Sequence, residues 1–532
     1  MTLYNRKTTL ELDGYSLTPE DLYSLRTGDI KISITDEAMA RVKEARGVVD
    51  RIVENDEVVY GITTGFGLFS NVRIPNDKLA ELQENLIRSH AAGVGEPLSP
   101  ERTRMLLAIR INVIAKGHSG ARPETLLTMV ECFNHGCLSW VPEQGTVGAS
   151  GDLAPLSHLA LGMMGEGKMF DAATGQYGDA GKILASHGIT PIALKAKEGL
   201  ALINGTQLIS TFTTEAYCRA ANLITVADIA VAMSLEALQG TKVAFDPRIH
   251  AARPHEGQQA SARRIREFLR DHVDPNGDSQ ICVGHRNCGR VQDAYSLRCS
   301  PQVHGQAHDA LKYVRGILMT ELNSATDNPM VFGPSFCDEA HPNGQILSGG
   351  NFHGEYPAKA ADFLAIAVHE LANISERRVE RMCNPSLSNG LPAFLVKEGG
   401  LNSGFMIAHC TTAALVSENK SLCHPASVDS ISTSAAKEDH VSMGGYAARK
   451  AAKVVENVER SLAIEILAAC QGIQFHLDEG KKSSEALMAV HAAVREVAKP
   501  WDKDRAMSPD IDAVWELVRD GMIVDVTRPF VE

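Results

Sequence analysis

Three small residues, Ala149, Ser150 and Gly151, stand side by side in "TVGASGDLAPLSHLALG" (Thr146–Gly162), just ahead of an apolar run. A tight turn accounts for that composition. The three residues also have a chemistry of their own. In a tight enough turn the amide nitrogen of Gly151 reaches the carbonyl carbon of Ala149 and closes a five-membered ring. Glycine suits the step, because no side chain crowds its nitrogen and the required φ/ψ is open to it. Loss of one water gives an imidazolone, and loss of a second from Ser150 leaves an exocyclic methylene conjugated to the ring. The product is a strong electrophile in a chain otherwise built of nucleophiles. A helix beginning near Asp152 would turn its positive end towards it.

The elements available to position that turn are mostly helices. In "AADFLAIAVHELANISERRVERM", Leu364, Val368, Leu371 and Ile374 recur at helical spacing, and in "AARKAAKVVENVERSLAIEILAA" so do Val455, Val458, Leu462 and Ile466. Such stripes are core faces. The alanines between them favour helix and close helix–helix approach. "GDIKISIT" near residue 30 and "DEVVYGIT" near residue 60 read as short strands. Glycine-rich loops ("GITTGFG", "LINGTQ", "LSGGNFHGEY", "VSMGGY") punctuate the helices, the kind of loop a rigid scaffold aims at a ligand. None is a phosphate cradle, and no 20–50-residue repeat is present.

Bulk properties narrow the function class. A chain of 532 residues exceeds one simple core. A net charge of −13 without a basic stripe argues against nucleic acid. The apolar stretches are broken short of a membrane span and the N-terminal region is not a signal peptide, so the cytosol is expected. Eleven cysteines, an odd number, read as reduced rather than as a disulfide framework. "CVGHRNC" holds Cys282, His285 and Cys288, but a zinc site wants a fourth ligand, and no metal is expected. "DHVDPNGDSQ" is not a calcium loop: position twelve from Asp274 is His285 rather than glutamate.

The wider stretch "GTVGASGDLAPLSHLALG" resembles the signature of the aromatic amino-acid ammonia-lyases and aminomutases, whose prosthetic group is this methylidene-imidazolone. The resemblance runs on in order from "VYGITTGFG" to "KEDHVSMGG". It implies a set of site residues. Arg298, in "VQDAYSLRCSPQ", matches the clamp on the substrate carboxylate, where a guanidinium binds bidentately. Asn204 and Gln292 match groups that orient the substrate. Tyr60 matches the base that removes the β-proton, and Tyr295 a second tyrosine beside the prosthetic group. A phenol is a poor base at its ordinary pKa of about 10, so the site has to depress it. Asn328 in "TDNP" and Phe352 in "GGNFHG" match further site positions.

Selectivity is expected from two other positions. Phenylalanine- and tyrosine-specific members of the family carry a hydrophobic or mixed pair in place of Ser89-His90, and a glutamine in place of Glu438. A carboxylate left unpaired against a phenyl ring is costly; opposite an imidazole N–H it becomes a charge-assisted acceptor. His90 and Glu438 together therefore point to L-histidine, eliminated to trans-urocanate and ammonia. Addition of either the amine or the imidazole to the electrophile remains open. No metal or dissociable cofactor is implied, since the electrophile is made from the chain.

The resemblance also implies the architecture: a mainly α subunit with a long central helical bundle and a smaller mixed N-terminal domain carrying the active-site loops. Boundaries are expected at 1–205 for the N-terminal domain, 206–475 for the bundle and 476–532 for a C-terminal helical segment. A homotetramer whose sites draw on three subunits is implied as well. Two departures stand out. The stretch between Asn328 and Phe352 is longer than in close bacterial relatives and bears on access to the pocket. "SAAK" replaces the Asn-Gln common before Glu438, so the contacts of Lys437 do not carry over. The alternatives are a phenylalanine or tyrosine lyase or aminomutase of the same family, a serine hydrolase using Ser150, and a non-catalytic scaffold. Asp152 stands where the hydrolase elbow G-x-S-x-G needs its last glycine.

Overall fold

Alanine-rich apolar stripes become four long helices packed side by side: Gln207–Ala237, Ser300–Glu321, Glu355–Cys383 and Gly444–Asp478. The structure, a computed structural model, describes residues 8–270, 279–283 and 291–531. The Cys282–His285–Cys288 group and the stretch 271–278 lie outside the described side chains. Among the described residues no cluster of histidine, cysteine and carboxylate groups is placed to hold a metal.

Val455, Val458, Leu462 and Ile466 are fully buried, as are Leu364, Val368 and Leu371. Ile374 departs from its stripe and is half-buried, while Ser375 and Val379 carry the core face onward. At about 100° per residue, ten positions leave Ile374 roughly 80° off the line of Leu364, and eleven bring Ser375 back to it. Gln207–Ala237 corrects the expectation that no apolar stretch reaches a membrane span. It has the length and hydropathy of one, but 83% of its apolar window is buried inside the protein. A helix apolar on all sides is here the core helix of the bundle.

Charges inside the bundle are paired. Arg378 and Glu465, both fully buried, meet across two helices at 2.5 and 2.8 Å, and Ser234 of a third donates to Glu465 at 2.6 Å. The larger apolar core draws on residues from Leu12 to Ile523, and a smaller one gathers Val48, Val49, Ile62 and Val331 beneath the turn near residue 60 and the hairpin.

Strands are few and short. Lys31–Ile34 forms as expected and pairs in parallel with Thr9–Leu12. The expected strand near residue 60 is instead a turn. Thr63 Oγ1 donates to Glu57 O at 2.7 Å and accepts from Val59 N at 2.9 Å, and Gly61 sits at φ +74°. A threonine bonding its own backbone competes with ladder pairing, and this one wins. The long stretch after Asn328 is a hairpin, Met330–Phe332 against Gln345–Leu347. Its tip docks on the side chains of His118 and Glu44: Phe332 and Phe336 ring centroids lie 5.1 and 4.7 Å from His118, and Ser335 Oγ donates to Glu44 at 2.6 Å.

Candidate active site

The turn at Ala149–Gly151 sits where four helices begin. Helix Leu153–Met163 starts immediately after it. Gly354, at the start of Glu355–Cys383, donates its amide to Gly148 O at 3.0 Å, and Met443, which opens Gly444–Asp478, donates to Val147 O at 2.9 Å. Asp152 does not cap its own helix; its carboxylate accepts from the amides of Leu208 and Ile209, in the first turn of Gln207–Ala237, at 2.8 and 3.0 Å. Converging helix N-termini favour negative charge at this point. The neighbours are glycines because nothing larger fits. Gly151 has φ +75°, and a Cβ on it would collide with the Gly205 carbonyl, which itself accepts from Asp152 N at 2.6 Å.

Around the turn the structure gathers Asn204, Glu438 and His90 of the expected residues. Asn204, 3% exposed, donates its Nδ2 to Ser150 O at 2.8 Å, while its buried Oδ1 has no partner among the described residues. Ser150 Oγ donates to Glu438 Oε1 at 2.5 Å. Glu438 is held in turn by Thr433 Oγ1 at 2.6 Å and Ser434 Oγ at 2.8 Å. Burial pushes this carboxyl up, but the three hydroxyls and neighbouring His90 outweigh it and hold it below its ordinary value. Burial pushes the His90 imidazole down, partly opposed by the Glu438 charge. Ser89 Oγ lies 2.9 Å from His90 Nδ1. The "SAAK" departure proves to be a left-handed turn, with Ser434, Ala435 and Ala436 all at positive φ. Three non-glycine residues in that region store strain, and the Thr433–Glu438 bridge that spans the turn sets the carboxylate's position.

Tyr60 is half-buried, and the next residue, Gly61, packs against Pro329, the residue after Asn328. Asn328 donates to Ser348 Oγ at 3.1 Å and accepts from Gly349 N at 2.6 Å, so the hairpin base fixes it. Phe352 is half-buried, two residues ahead of the Gly354–Gly148 contact. Ser150 bonds a carboxylate and not an imidazole, which removes the basis for the hydrolase alternative.

Gln292, Tyr295 and Arg298 form a second group elsewhere. Arg298 donates to Gln292 Oε1 at 2.6 Å, and its guanidinium lies 4.7 Å from the centre of the Tyr295 ring. This group is anchored past the far end of Gln207–Ala237: Thr241 N donates to Asp293 at 2.7 Å, and Ser296 O accepts from Arg378. Ser150 lies at the near end. That helix has 31 residues and spans about 46 Å. Within one chain Arg298 and Ser150 cannot touch the same small molecule. Tyr295 is 71% exposed and Arg298 Nε is buried without a partner among the described residues.

The model for the aromatic amino acid lyases matches residues 17–496. The chain belongs to the aromatic amino acid lyase family. Similar proteins include histidine ammonia-lyase from Bos taurus, 60% identical over 98% of this chain and 77% of that protein. A crystal structure of histidine ammonia-lyase from Trypanosoma cruzi is 55% identical with a TM-score of 0.89, covering 98% of this chain and 96% of that one. Tyrosine aminomutase from Streptomyces globisporus superposes with the same TM-score at 35% identity, covering 98% and 99%. This aromatic amino acid lyase therefore has the mainly helical fold of its neighbours.

Sequence reasoning missed two buried carboxyls beside the reactive turn. Asp152 is fully buried, and burial pushes its carboxyl up to about 7 against the hydrogen bonds from Ile209, Thr146 and Leu208. Its place directly after Gly151, ahead of an apolar helix, reads as an ordinary N-cap, and nothing local shows that it caps a different helix. Glu321, bonded by Thr206, is likewise pushed up by burial to about 6.

Proposed function

We propose that this chain is an ammonia-lyase acting on L-histidine, releasing trans-urocanate and ammonia, with a methylidene-imidazolone formed from Ala149, Ser150 and Gly151. The observation that carries the substrate reading is the place of Glu438, an ionised carboxylate beside Ser150 and His90. The residues present fit the prosthetic group. Gly151 is held at positive φ with no room for a Cβ, Asn204 grips the Ser150 carbonyl, and Asn204 Oδ1, without a partner among the described residues, can accept a hydrogen bond. Once formed, the group supplies the electrophile that makes ammonia a leaving group.

The chain's own residues do the rest. Glu438 accepts the N–H of one imidazole nitrogen, and His90, kept neutral by burial, meets the other. That pair excludes a phenyl ring, which would leave the carboxylate unpaired. Tyr60 takes the β-proton. Arg298, from a second copy, clamps the carboxylate, with Gln292 orienting it. The helix separation supports a homo-oligomer, and exposed Tyr356, Phe363 and Ile366 on a central helix supply apolar surface for a neighbouring copy to cover. The nine described cysteines are all unpaired, which supports a reducing compartment such as the cytosol.

The test is ultraviolet absorbance of the purified protein with L-histidine, L-phenylalanine and L-tyrosine in parallel, repeated with Glu438→Gln. A urocanate band with histidine alone is expected. Glu438→Gln is expected to cut histidine turnover at least about 100-fold while sparing any residual phenylalanine turnover. Turnover of phenylalanine or tyrosine only, or equal losses on all substrates, overturns the imidazole-binding role.

A further inference from the structure

Arg110 is an anomaly in the core. It lies on helix Pro100–Ala115, where every residue from Thr103 onward is buried, and it is itself fully buried. Among the described residues its hydrogen bonds all go to neutral oxygens. Nη1 donates to Asn204 O at 2.6 Å and to Gln207 Oε1 at 2.8 Å, and Nη2 donates to Ala201 O. Its Nε has no partner among the described residues. Burial pushes the guanidinium down to about 10, opposed only by the more distant charge of Asp327. A buried cation without a hydrogen-bonded carboxylate is costly, and an apolar side chain of similar volume would ordinarily be the more stable choice.

What the cation accomplishes is visible in its partners. Ala201 O and Asn204 O are carbonyls at the C-terminal end of the short helix Glu198–Ile203, where a positive charge is favourable. One planar fork holds both and so sets where the chain leaves that helix, at Asn204. The same fork orients the Gln207 amide, whose Nε2 donates to Thr326 Oγ1 at 2.7 Å, two residues before Asn328. The segment 204–205 held in this way makes two bonds to the reactive turn, flanking Gly151. Asn204 Nδ2 reaches Ser150 O, and Gly205 O accepts from Asp152 N. Those bonds set the torsions on either side of the amide nitrogen that has to reach Ala149.

We infer that Arg110, whose hydrogen bonds among the described residues go to Ala201, Asn204 and Gln207 and none to the Ala149–Gly151 segment, is a positioning residue that acts through Asn204 to hold the reactive turn in its cyclising geometry. The inference rests on the prosthetic-group reading above, but its readout does not depend on the substrate. Arg110→Gln keeps a donor and removes the charge and the fork; Arg110→Lys keeps the charge and removes the fork. Asn204→Ala and the Arg110→Gln/Asn204→Ala double variant complete a cycle.

Peptide mass measures the fraction of the 149–151 segment lighter by two waters, alongside kcat and KM on L-histidine and a folding check by circular dichroism. The folded Arg110→Gln variant is expected to show a lower dehydrated fraction than wild type and a kcat down at least about tenfold, with KM within about threefold. The double variant is expected to stay within about threefold of Asn204→Ala alone, since coupled residues do not add. If Arg110→Gln does not fold, Arg110→Lys is read in the same way. Complete dehydration with near-wild-type kcat, or losses that multiply in the double variant, would overturn the inference. A wild-type segment without the mass loss overturns the prosthetic-group reading instead. A dehydrated wild type that ignores L-histidine overturns only the substrate reading, and Arg110 is then judged on mass.

Discussion

At the scale of single residues, the site is a set of polar groups whose ionisation is set by burial and by neighbours. Asp152 and Glu438 illustrate the two directions. Both are pushed up by burial, but Glu438 receives three hydroxyl donors and stays ionised, whereas Asp152, fully enclosed, rises to about 7. A carboxyl whose folded pKa exceeds its unfolded value binds more protons when folded. Its contribution is therefore greatest at low pH and is lost as pH rises from about 4 to about 7, at up to about 1.4 kcal/mol per pH unit. Asp152→Asn removes that titration while keeping an oxygen for Leu208 and Ile209. The variant's unfolding free energy, from urea melts at pH 5 and pH 8, is expected to fall less over this interval than the wild type's. Parallel profiles would show that the carboxyl is not the source.

At the scale of elements, the site depends on where helices start, and the bundle holds those starts in register. Arg378, Glu465 and Ser234, all fully buried, tie three of the four long helices together. Replacing such a pair with well-packed apolar residues is often neutral, but removing one partner strands a buried charge. Glu465→Ala is expected to cost about 3–5 kcal/mol in chemical denaturation, and the double change Arg378→Met with Glu465→Leu much less. Comparable losses in both would place the effect in packing rather than in charge. The same scale explains the misread strand near residue 60. Alternating apolar residues suggested a ladder, but Thr63 closes the chain on itself and puts Tyr60 on a turn against Pro329.

At the scale of the whole molecule, the decisive fact is a distance. Ser150, Glu438, His90 and Asn204 cluster at one end of Gln207–Ala237, and Arg298, Tyr295 and Gln292 are anchored past the other. On the proposed reading, in which Arg298 clamps the substrate, a complete site needs a second copy. Two variants that are inactive alone, Ser150→Ala and Arg298→Ala, should then complement when co-expressed. About one site in four draws both functional groups by random assortment in a closed oligomer, and turnover on L-histidine should return to roughly that fraction. Failure to complement, with mixed oligomers shown to form, would mean that each chain supplies its own site.

The Ala-Ser-Gly chemistry and the helical character of the bundle were legible in the sequence, because each depends on local spacing or on contiguous residues, and such information survives in one dimension. His90, Glu438 and Arg298 were singled out only through the resemblance to the family, since nothing in their own surroundings marks them. Three things were not legible: the neighbour that burial gives Asp152, the charge of Arg110 held against carbonyls almost a hundred positions away, and the separation of Arg298 from its own chain's Ser150. These are long-range contacts and lengths. They follow from how the helices pack and how far each extends, so only the folded molecule decides them.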